Sequence, residues 1–190
     1  MGKITLITGG ARSGKSTFAE SLLNKTHPVL YIATAVPVDE EMKIRIRHHR
    51  KDRNPSWETL EAFSSLPQRL AERERYYGGI LLDCVTVLLT NLLFIRSDLN
   101  LDCYEEEFWV KAEMEILEDL KKTLDFFRNS SAECVLVTNE LGQGLVPETA
   151  FARAFRDLQG RVNQYLARES DDVYLLVSGI PLCIKETDDE

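Results

Sequence analysis

The chain has 190 residues, of which 44% are hydrophobic and 28% are charged, and its formal net charge is −8. This size and composition suit a single soluble domain, which we expect over residues 1–185, followed by an acidic, frayed tail at 186–190. The negative charge argues against a nucleic-acid-binding protein, because neutralising phosphates requires a basic face. No stretch approaches the roughly 18 apolar residues of a membrane span, and we recognise no signal peptide.

The cysteines predict a reducing compartment. Each lies in or beside an apolar run, and they show no CxxC pairing: Cys84, Cys103, Cys134 and Cys183. Buried thiols in a cytoplasmic protein are the expected arrangement. The 3 histidines have no spacing that matches a structural metal site.

The first strand–helix connection carries a complete phosphate-binding-loop motif. It follows the apolar run 4–8 and consists of Gly9, Gly10, Ala11, Arg12, Ser13, Gly14, Lys15 and Ser16. The glycines let successive backbone N–H groups form an anion nest, and the following helix directs its positive N-terminus at the same phosphates. Lys15 would reach the β- and γ-phosphates, and the Ser16 hydroxyl would help to hold Mg²⁺. The alternative is a glycine-rich turn that binds nothing; the complete motif favours a nucleoside triphosphate.

Further along the chain, apolar runs alternate with segments of helical periodicity. The predicted strands are 3–8, 29–33, 79–83, 134–138 and 173–177, and the predicted helices are 15–24, 39–52, 66–76, 104–128 and 151–169. Near-continuous apolar strands joined by helices indicate a parallel sheet that is covered on both faces. The prediction is an α/β, P-loop NTPase-like three-layer fold with a mostly parallel central sheet. Its functional loops should collect at the carboxyl ends of the strands.

Asp83 ends one of these predicted strands. A carboxylate at this position can meet the Mg²⁺ that a phosphate-binding loop holds. Aspartate is also common as an N-cap, so Asp83 could instead cap a helix that begins near Val85. The loop at 9–16 favours the metal role, since such a loop normally needs an acidic partner.

The segment 39–53 has acidic residues at its front and basic residues at its back, which suits a helix dipole. Helical spacing places His49 on one stripe with Met42 and Ile46, so His49 is the better candidate for a packed residue, while His48 projects from the polar side. The surrounding bases are Arg45, Arg47, Arg50, Lys51 and Arg53. One interpretation is a solvated basic helix end. The other is a phosphate-facing helix with a histidine nucleophile, since histidine's unperturbed pKa of about 6.5 favours the neutral imidazole that attack requires near pH 7.5.

Two other features have both a structural and a functional interpretation. Thr138, Asn139 and Glu140 follow a predicted strand, where they either form a turn or contact substrate. Trp57 is expected to be a packing residue rather than a platform for a base. On the predicted helix 151–169, polar side chains including Asn163 are expected to form solvated surface pairs.

These motifs together resemble the bifunctional adenosylcobinamide kinase / adenosylcobinamide-phosphate guanylyltransferase family of cobalamin biosynthesis. The resemblance covers nearly the whole chain in order. It is carried by the segments 9–16, 31–34, 45–50, 57–61, 82–84 with 90–93, 137–147, 155–164 and 177–180. The phosphate-binding loop alone is generic, but its combination with the histidine pair and the Thr-Asn-Glu loop is specific.

The resemblance implies two reactions. The family phosphorylates the aminopropanol hydroxyl of adenosylcobinamide with ATP or GTP, and then transfers GMP from GTP to that phosphate through a guanylylated histidine, which corresponds to His48. The other implied nucleotide contacts are Gly9 through Ser16, Ala33, Thr34, Ala35, His49, Arg50, Lys51, Asp52, Glu61 and Asp83. Mg²⁺ would be held by Ser16 and Asp83, although the family also has the longer glutamate at the position of Asp83. Family members are typically homotrimers with sites between subunits.

Two other functions stay open at this point. A simple P-loop kinase of small molecules would need no nucleophile, and His48 would then be a surface residue. A nucleotide-dependent switch protein would hydrolyse nucleotide without phosphorylating an acceptor. Thr138–Glu140 lacks the Lys and Asp of a guanine-reading motif, which weighs against a switch.

Overall fold

The structure is a computed structural model. It describes residues 2–36, 40, 43–44, 46–47, 53–73, 76–96, 99, 101 and 104–187. Most of the histidine segment, including His48 to Asp52, lies outside the described residues, as do Cys103 and the end of the acidic tail.

A seven-stranded sheet forms the centre of the molecule, with the strand order β3-β2-β4-β5-β1-β6-β7. Its neighbouring strands are parallel except for β6 and β7, which form an antiparallel pair. The strands are β1 (Ile4–Gly9), β2 (Val29–Ala33), β3 (Glu58–Glu61), β4 (Gly79–Asp83), β5 (Glu133–Val137), β6 (Asp172–Val177) and β7 (Ile180–Lys185). The predicted mostly parallel α/β fold is confirmed.

Both faces of the sheet are buried, which explains why its central strands are apolar without interruption. In β2, Leu30 and Ile32 pack into the larger core cluster, while Val29 and Tyr31 pack into a second one on the opposite face. The helices are α1 (Lys15–Leu23), α2 (Leu66–Ala71), α3 (Val85–Phe94), α4 (Glu106–Asn129) and α5 (Ala150–Glu169). Helix α1 covers the second cluster, and the other helices contribute to the larger one.

Several element boundaries differ from the prediction. The edge strands β3 and β7 were not predicted: β3 buries only Leu60, and β7 is largely exposed, so neither shows an apolar run. Helix α3 is not among the predicted helices, although a helix beginning near Val85 is part of the capping interpretation of Asp83. Helix α2 ends at Ala71 instead of continuing to residue 76. Within the predicted helix 39–52, the described residues 40, 43–44 and 46–47 are helical.

Candidate active site

The phosphate-binding loop joins β1 to α1 through a backbone that only glycine fits at two positions. Gly9 has φ 150° and Gly14 has φ 94°. A Cβ on Gly9 would lie 2.5 Å from the Leu176 carbonyl oxygen, and one on Gly14 would lie 3.2 Å from Cα of Gly179 in the β6–β7 turn. That turn also donates a hydrogen bond from the Gly179 N–H to the Ser13 carbonyl, at 2.9 Å. The sheet and its last hairpin therefore hold the loop in shape.

Lys15 is buried at the base of this loop. Its ammonium donates to the carbonyl oxygens of Gly9, at 3.0 Å, and Gly10, at 2.6 Å. Burial lowers the pKa of Lys15 below its ordinary value, and the neighbouring Cys84 and Asp83 side chains partly oppose this shift. Inside the loop, the Ser13 hydroxyl is buried and has no hydrogen-bond partner among the described residues. The loop thus presents a desolvated ammonium and an unsatisfied hydroxyl, both of which a phosphate could bind.

The predicted site residues of three other strands lie level with each other across the sheet. Glu61 pairs in register with Ala33, Ala33 with Asp83, and Asp83 with Val137 of β5. Val137 is in turn the neighbour of Ile7, two residues before the phosphate-binding loop. The carboxyl ends of β3, β2, β4, β5 and β1 therefore meet at one edge, as expected for a parallel sheet.

Asp83 is held by a buried tyrosine. The Tyr31 hydroxyl donates to the Asp83 carboxylate at 2.8 Å, and the guanidinium of Arg53 lies 3.5 Å from the centre of the Tyr31 ring. Burial, reinforced by the charge of Asp83, raises the pKa of Tyr31 above its ordinary value, so the hydroxyl remains a donor. Trp57 packs against the same ring and is buried, as expected of a packing residue.

The capping alternative for Asp83 is wrong. The residue that precedes helix α3 is Cys84, and no side chain caps the helix. The carboxylate is engaged by Tyr31 from the neighbouring strand instead. Burial and the nearby charge of Asp83 raise the pKa of the Cys84 thiol to about 12, so this cysteine stays protonated at neutral pH.

Thr34 connects the ends of β2 and β4. Its side chain is fully buried, donates to the Cys84 carbonyl and accepts from the Cys84 N–H, both at 2.9 Å. The Asn91 amide donates to the Thr34 carbonyl at 2.7 Å. The side chain of Thr34 is therefore fully engaged within the protein. Ala33 and Ala35, on either side of it, are half-buried.

A buried polar network follows β5, and the sequence did not identify its extent. Thr138 is fully buried; its hydroxyl donates to Asn163 at 2.8 Å and accepts from Gln159 at 3.0 Å. Thr86 of α3 accepts the Asn139 N–H at 2.9 Å. The expectation that Asn163 forms a solvated surface pair is wrong, because α5 turns this residue toward the end of β5.

The cysteines only partly match the prediction of buried thiols. Cys134 is buried and Cys84 half-buried, but Cys183 is exposed because β7 is an edge strand. All three are free.

Magnesium fits the oxygen donors of this site. Asp83 offers a carboxylate that is close enough to Lys15 of the loop to oppose the lowering of that lysine's pKa. Ser16 offers a half-buried hydroxyl at the start of α1. Within the described ranges there is no group of three or more His, Cys, Asp or Glu side chains that could hold a metal. Mg²⁺ usually takes one or two protein oxygens and completes its shell with phosphate and water, so a carboxylate and a hydroxyl are suitable donors for it.

Sequence and structure comparisons support a nucleotide-binding enzyme of one particular family. In the described part of the chain, no helix is long and apolar enough to cross a membrane.

The chain is 44% identical over 182 residues to the bifunctional adenosylcobalamin biosynthesis protein CobU of Salmonella typhimurium, covering 95% of this chain and 98% of that protein. It is also 44% identical over 181 residues to the protein of the same name from Escherichia coli, with the same coverage of 95% and 98%.

A solved structure of an ATPase from the type III secretion system of pathogenic bacteria shares the fold. It matches with a TM-score of 0.57 at 12% identity, over 93% of this chain and 52% of that one, so the chain spans about half of the ATPase. The family model described as cobinamide kinase / cobinamide phosphate guanyltransferase matches residues 5–184. With nearly its whole length matched, the chain belongs to the cobinamide kinase / cobinamide phosphate guanyltransferase family.

Proposed function

We propose that this enzyme phosphorylates the aminopropanol hydroxyl of adenosylcobinamide with ATP or GTP and then transfers GMP from GTP to the new phosphate, giving adenosylcobinamide-GDP. The observation that carries the proposal is the family match over residues 5–184, together with a complete phosphate-binding loop at the carboxyl edge of the sheet. A simple kinase without nucleotidyl transfer is not favoured, since the family's description includes both activities.

In the kinase step, the acceptor oxygen forms a bond to the γ-phosphorus as the bond to the β–γ bridging oxygen breaks. The nucleoside diphosphate leaves with that electron pair, and the hydroxyl proton is released to water. Catalysis of this kind rests on positioning and charge neutralisation. We assign the nucleotide phosphates to the backbone and side chains of Gly9 to Ser16, with Lys15 neutralising the phosphate charge from its buried position.

Mg²⁺ would be held by Ser16 and Asp83 and would neutralise phosphate charge when bound. Tyr31 is suited to orient the Asp83 carboxylate, because it is buried and donates to a single carboxylate oxygen. Ala33, Thr34, Ala35 and Glu61 are proposed nucleotide contacts at the same edge, although the Thr34 hydroxyl already bonds Cys84 and the Thr34 carbonyl already accepts from Asn91.

In the guanylyl transfer, an imidazole nitrogen of His48 would attack the α-phosphorus of GTP. The bond to the α–β bridging oxygen breaks, pyrophosphate leaves and the imidazole proton is released. A phosphate oxygen of the acceptor then attacks the same phosphorus, the electron pair of the breaking P–N bond returns to the nitrogen, and the imidazole takes up a proton to regenerate the histidine. We propose that His49, Arg50, Lys51 and Asp52 contact the nucleotide beside it.

We further propose a homotrimer with sites between subunits, as the family resemblance implies, and a cytoplasmic location. The three described cysteines are free thiols, which is the usual state in a reducing compartment.

Intact-mass measurement after incubation with GTP and Mg²⁺ tests the proposal. The chain should gain the mass of one GMP through a bond that is acid-labile and base-resistant, as phosphoramidates are. His48→Ala should abolish this labelling and product guanylylation while leaving cobinamide phosphorylation largely intact. His49→Ala, which removes the same group one position along, should retain part of the labelling. Labelling that survives His48→Ala but not His49→Ala would make the assignment of the nucleophile wrong.

A further inference from the structure

Asn139 is held at both of its backbone groups by side chains from two different helices. Its N–H donates to the Thr86 hydroxyl of α3 at 2.9 Å, and its carbonyl accepts from the Asn163 amide of α5 at 3.0 Å. Backbone turns more often satisfy such groups with neighbouring backbone. Here two distant elements fix the position of one residue.

The side chains that hold Asn139 are themselves fixed. The buried Thr138 hydroxyl donates to Asn163 at 2.8 Å, while Gln159 donates to both Thr138, at 3.0 Å, and Asn163, at 2.8 Å. These hydrogen bonds restrict the rotamers of Thr138, Gln159 and Asn163, while the Gln159 side-chain oxygen has no partner among the described residues. Asn139 is therefore preorganised before any ligand binds.

Asn139 lies between Asp83, the proposed magnesium ligand, and the phosphate-binding loop. Val137, two residues before Asn139, is the register partner of both Asp83 on β4 and Ile7 on β1. The following residue, Glu140, donates its N–H to the Gly9 carbonyl oxygen at 3.0 Å, the same atom that accepts from Lys15. Asn139 thus sits at the sheet edge between the proposed metal carboxylate and the phosphate-binding lysine.

The side chain of Asn139 does not share in this network. Its amide is half-buried and makes no hydrogen bond within the described part of the chain. Glu140 next to it is engaged, since its carboxylate accepts the Gly142 N–H at 2.7 Å. A residue whose backbone is fixed so firmly, while its amide stays available, is arranged to present that amide to a ligand.

We propose that the Asn139 side-chain amide donates a hydrogen bond to the γ-phosphoryl group of the nucleotide during transfer to the cobinamide hydroxyl. Thr86 and Asn163 are the residues that position it. The inference rests on the proposed kinase function. A neutral amide donor at this point would stabilise charge on the equatorial oxygens of the transferred group without repelling Mg²⁺.

Steady-state phosphorylation of cobinamide by Asn139→Ala and Asn139→Asp tests the inference. Because the network binds only the backbone of Asn139, both variants should melt close to the wild type. The alanine variant should lose roughly 10²-fold in kcat, with KM for ATP changing less than about threefold. The aspartate variant should lose more, since a carboxylate repels the phosphoryl oxygens. Asn129→Ala is the matched control, an exposed amide at the far end of α4.

The positioning role has its own variants. Thr86→Val removes the acceptor of the Asn139 N–H and should lower kcat roughly tenfold at unchanged KM, whereas Thr86→Ser should restore it. The inference would be wrong if Asn139→Ala kept its kcat within about twofold of the wild type, or changed only KM. The proposed function would still stand in that case, provided that the wild-type enzyme phosphorylates cobinamide. A wild-type enzyme that neither phosphorylates cobinamide nor takes up GMP would overturn both.

Discussion

Replacing Asp83 by asparagine removes the proposed magnesium ligand with little change in shape. The Tyr31 hydroxyl can still donate to the asparagine oxygen, so the contact that now measures 2.8 Å is weakened and not lost. A hydrogen bond to a charged acceptor contributes about 1.5–3 kcal/mol and one to a neutral acceptor about 0.5–1.5, so the expected loss is about 1 kcal/mol. In a domain of this size that lowers Tm by about 2–4 °C.

The expected loss of activity is much larger. A metal ion stabilises transition-state charge by several kcal/mol, and about 3 kcal/mol corresponds to roughly a 10²-fold change in rate. Asp83→Asn should therefore lower kcat for cobinamide phosphorylation at least 10²-fold. Added Mg²⁺ should recover little of this.

Tyr31→Phe is the companion variant, because it removes the other half of the same hydrogen bond and leaves the carboxylate in place. The partly buried hydrogen bond to Asp83 is then lost outright, at a cost of about 1.5–3 kcal/mol. Loss of an orienting partner typically weakens metal binding about 10–100-fold, which saturating Mg²⁺ should largely restore. Tyr76→Phe, which removes the same hydroxyl from an exposed tyrosine, is the control for both measurements.

Thermal unfolding and Mg²⁺ titration of kcat on the same preparations give the comparison. The two variants should rank in opposite orders: Tyr31→Phe should be the less stable and Asp83→Asn the less active. Equal activity of Asp83→Asn and wild type at saturating Mg²⁺ would refute the metal role. Both variants losing activity only in proportion to stability would show that the pair is structural.

Other expected outcomes concern the lysine and an ion pair at the opposite edge of the sheet. Lys15→Met should lower both cobinamide phosphorylation and GMP labelling at least about 10²-fold, since one phosphate-binding loop would serve both steps; loss of a single activity would imply a second triphosphate site. Burial opposes the ionisation of Asp171, but hydrogen bonds from Arg128 and the Ile4 N–H hold the pKa of this carboxyl below its ordinary value of 3.8. Because the pKa of Asp171 is lower in the folded state, the ion pair should contribute its full stability above pH 3.8. This contribution should be lost as the pH falls from 3.8 through the folded pKa. Urea unfolding between pH 6 and pH 3 should show a steeper loss for wild type than for Asp171→Asn, and parallel curves would contradict this linkage.

Local patterns in the sequence predict most of the fold. The strands β1, β2, β4, β5 and β6 were predicted close to their observed bounds, because a strand buried on both faces has a distinctive apolar run. The phosphate-binding loop was equally clear, since the glycines at 9 and 14 take positive φ angles that other residues rarely adopt.

Edge strands and short helices lack such signals. Strand β3 buries one residue of four, and β7 contains Pro181 and faces solvent, so their place in the sheet depends on pairing with β2 and β6. Such pairing is a contact between distant parts of the chain, and it leaves little trace in composition.

For the site, the sequence alone identified which chemistry-bearing residues stand at strand ends, and that was enough to nominate Lys15, Asp83 and the Thr138–Glu140 loop. Only the tertiary structure decided their partners. Tyr31 meets Asp83 across 52 positions, and Asn163 meets Asn139 across 24. Hydrogen bonds of this range depend on strand order and helix packing, so the apolar pattern that builds the sheet also decides which polar groups meet at its edge.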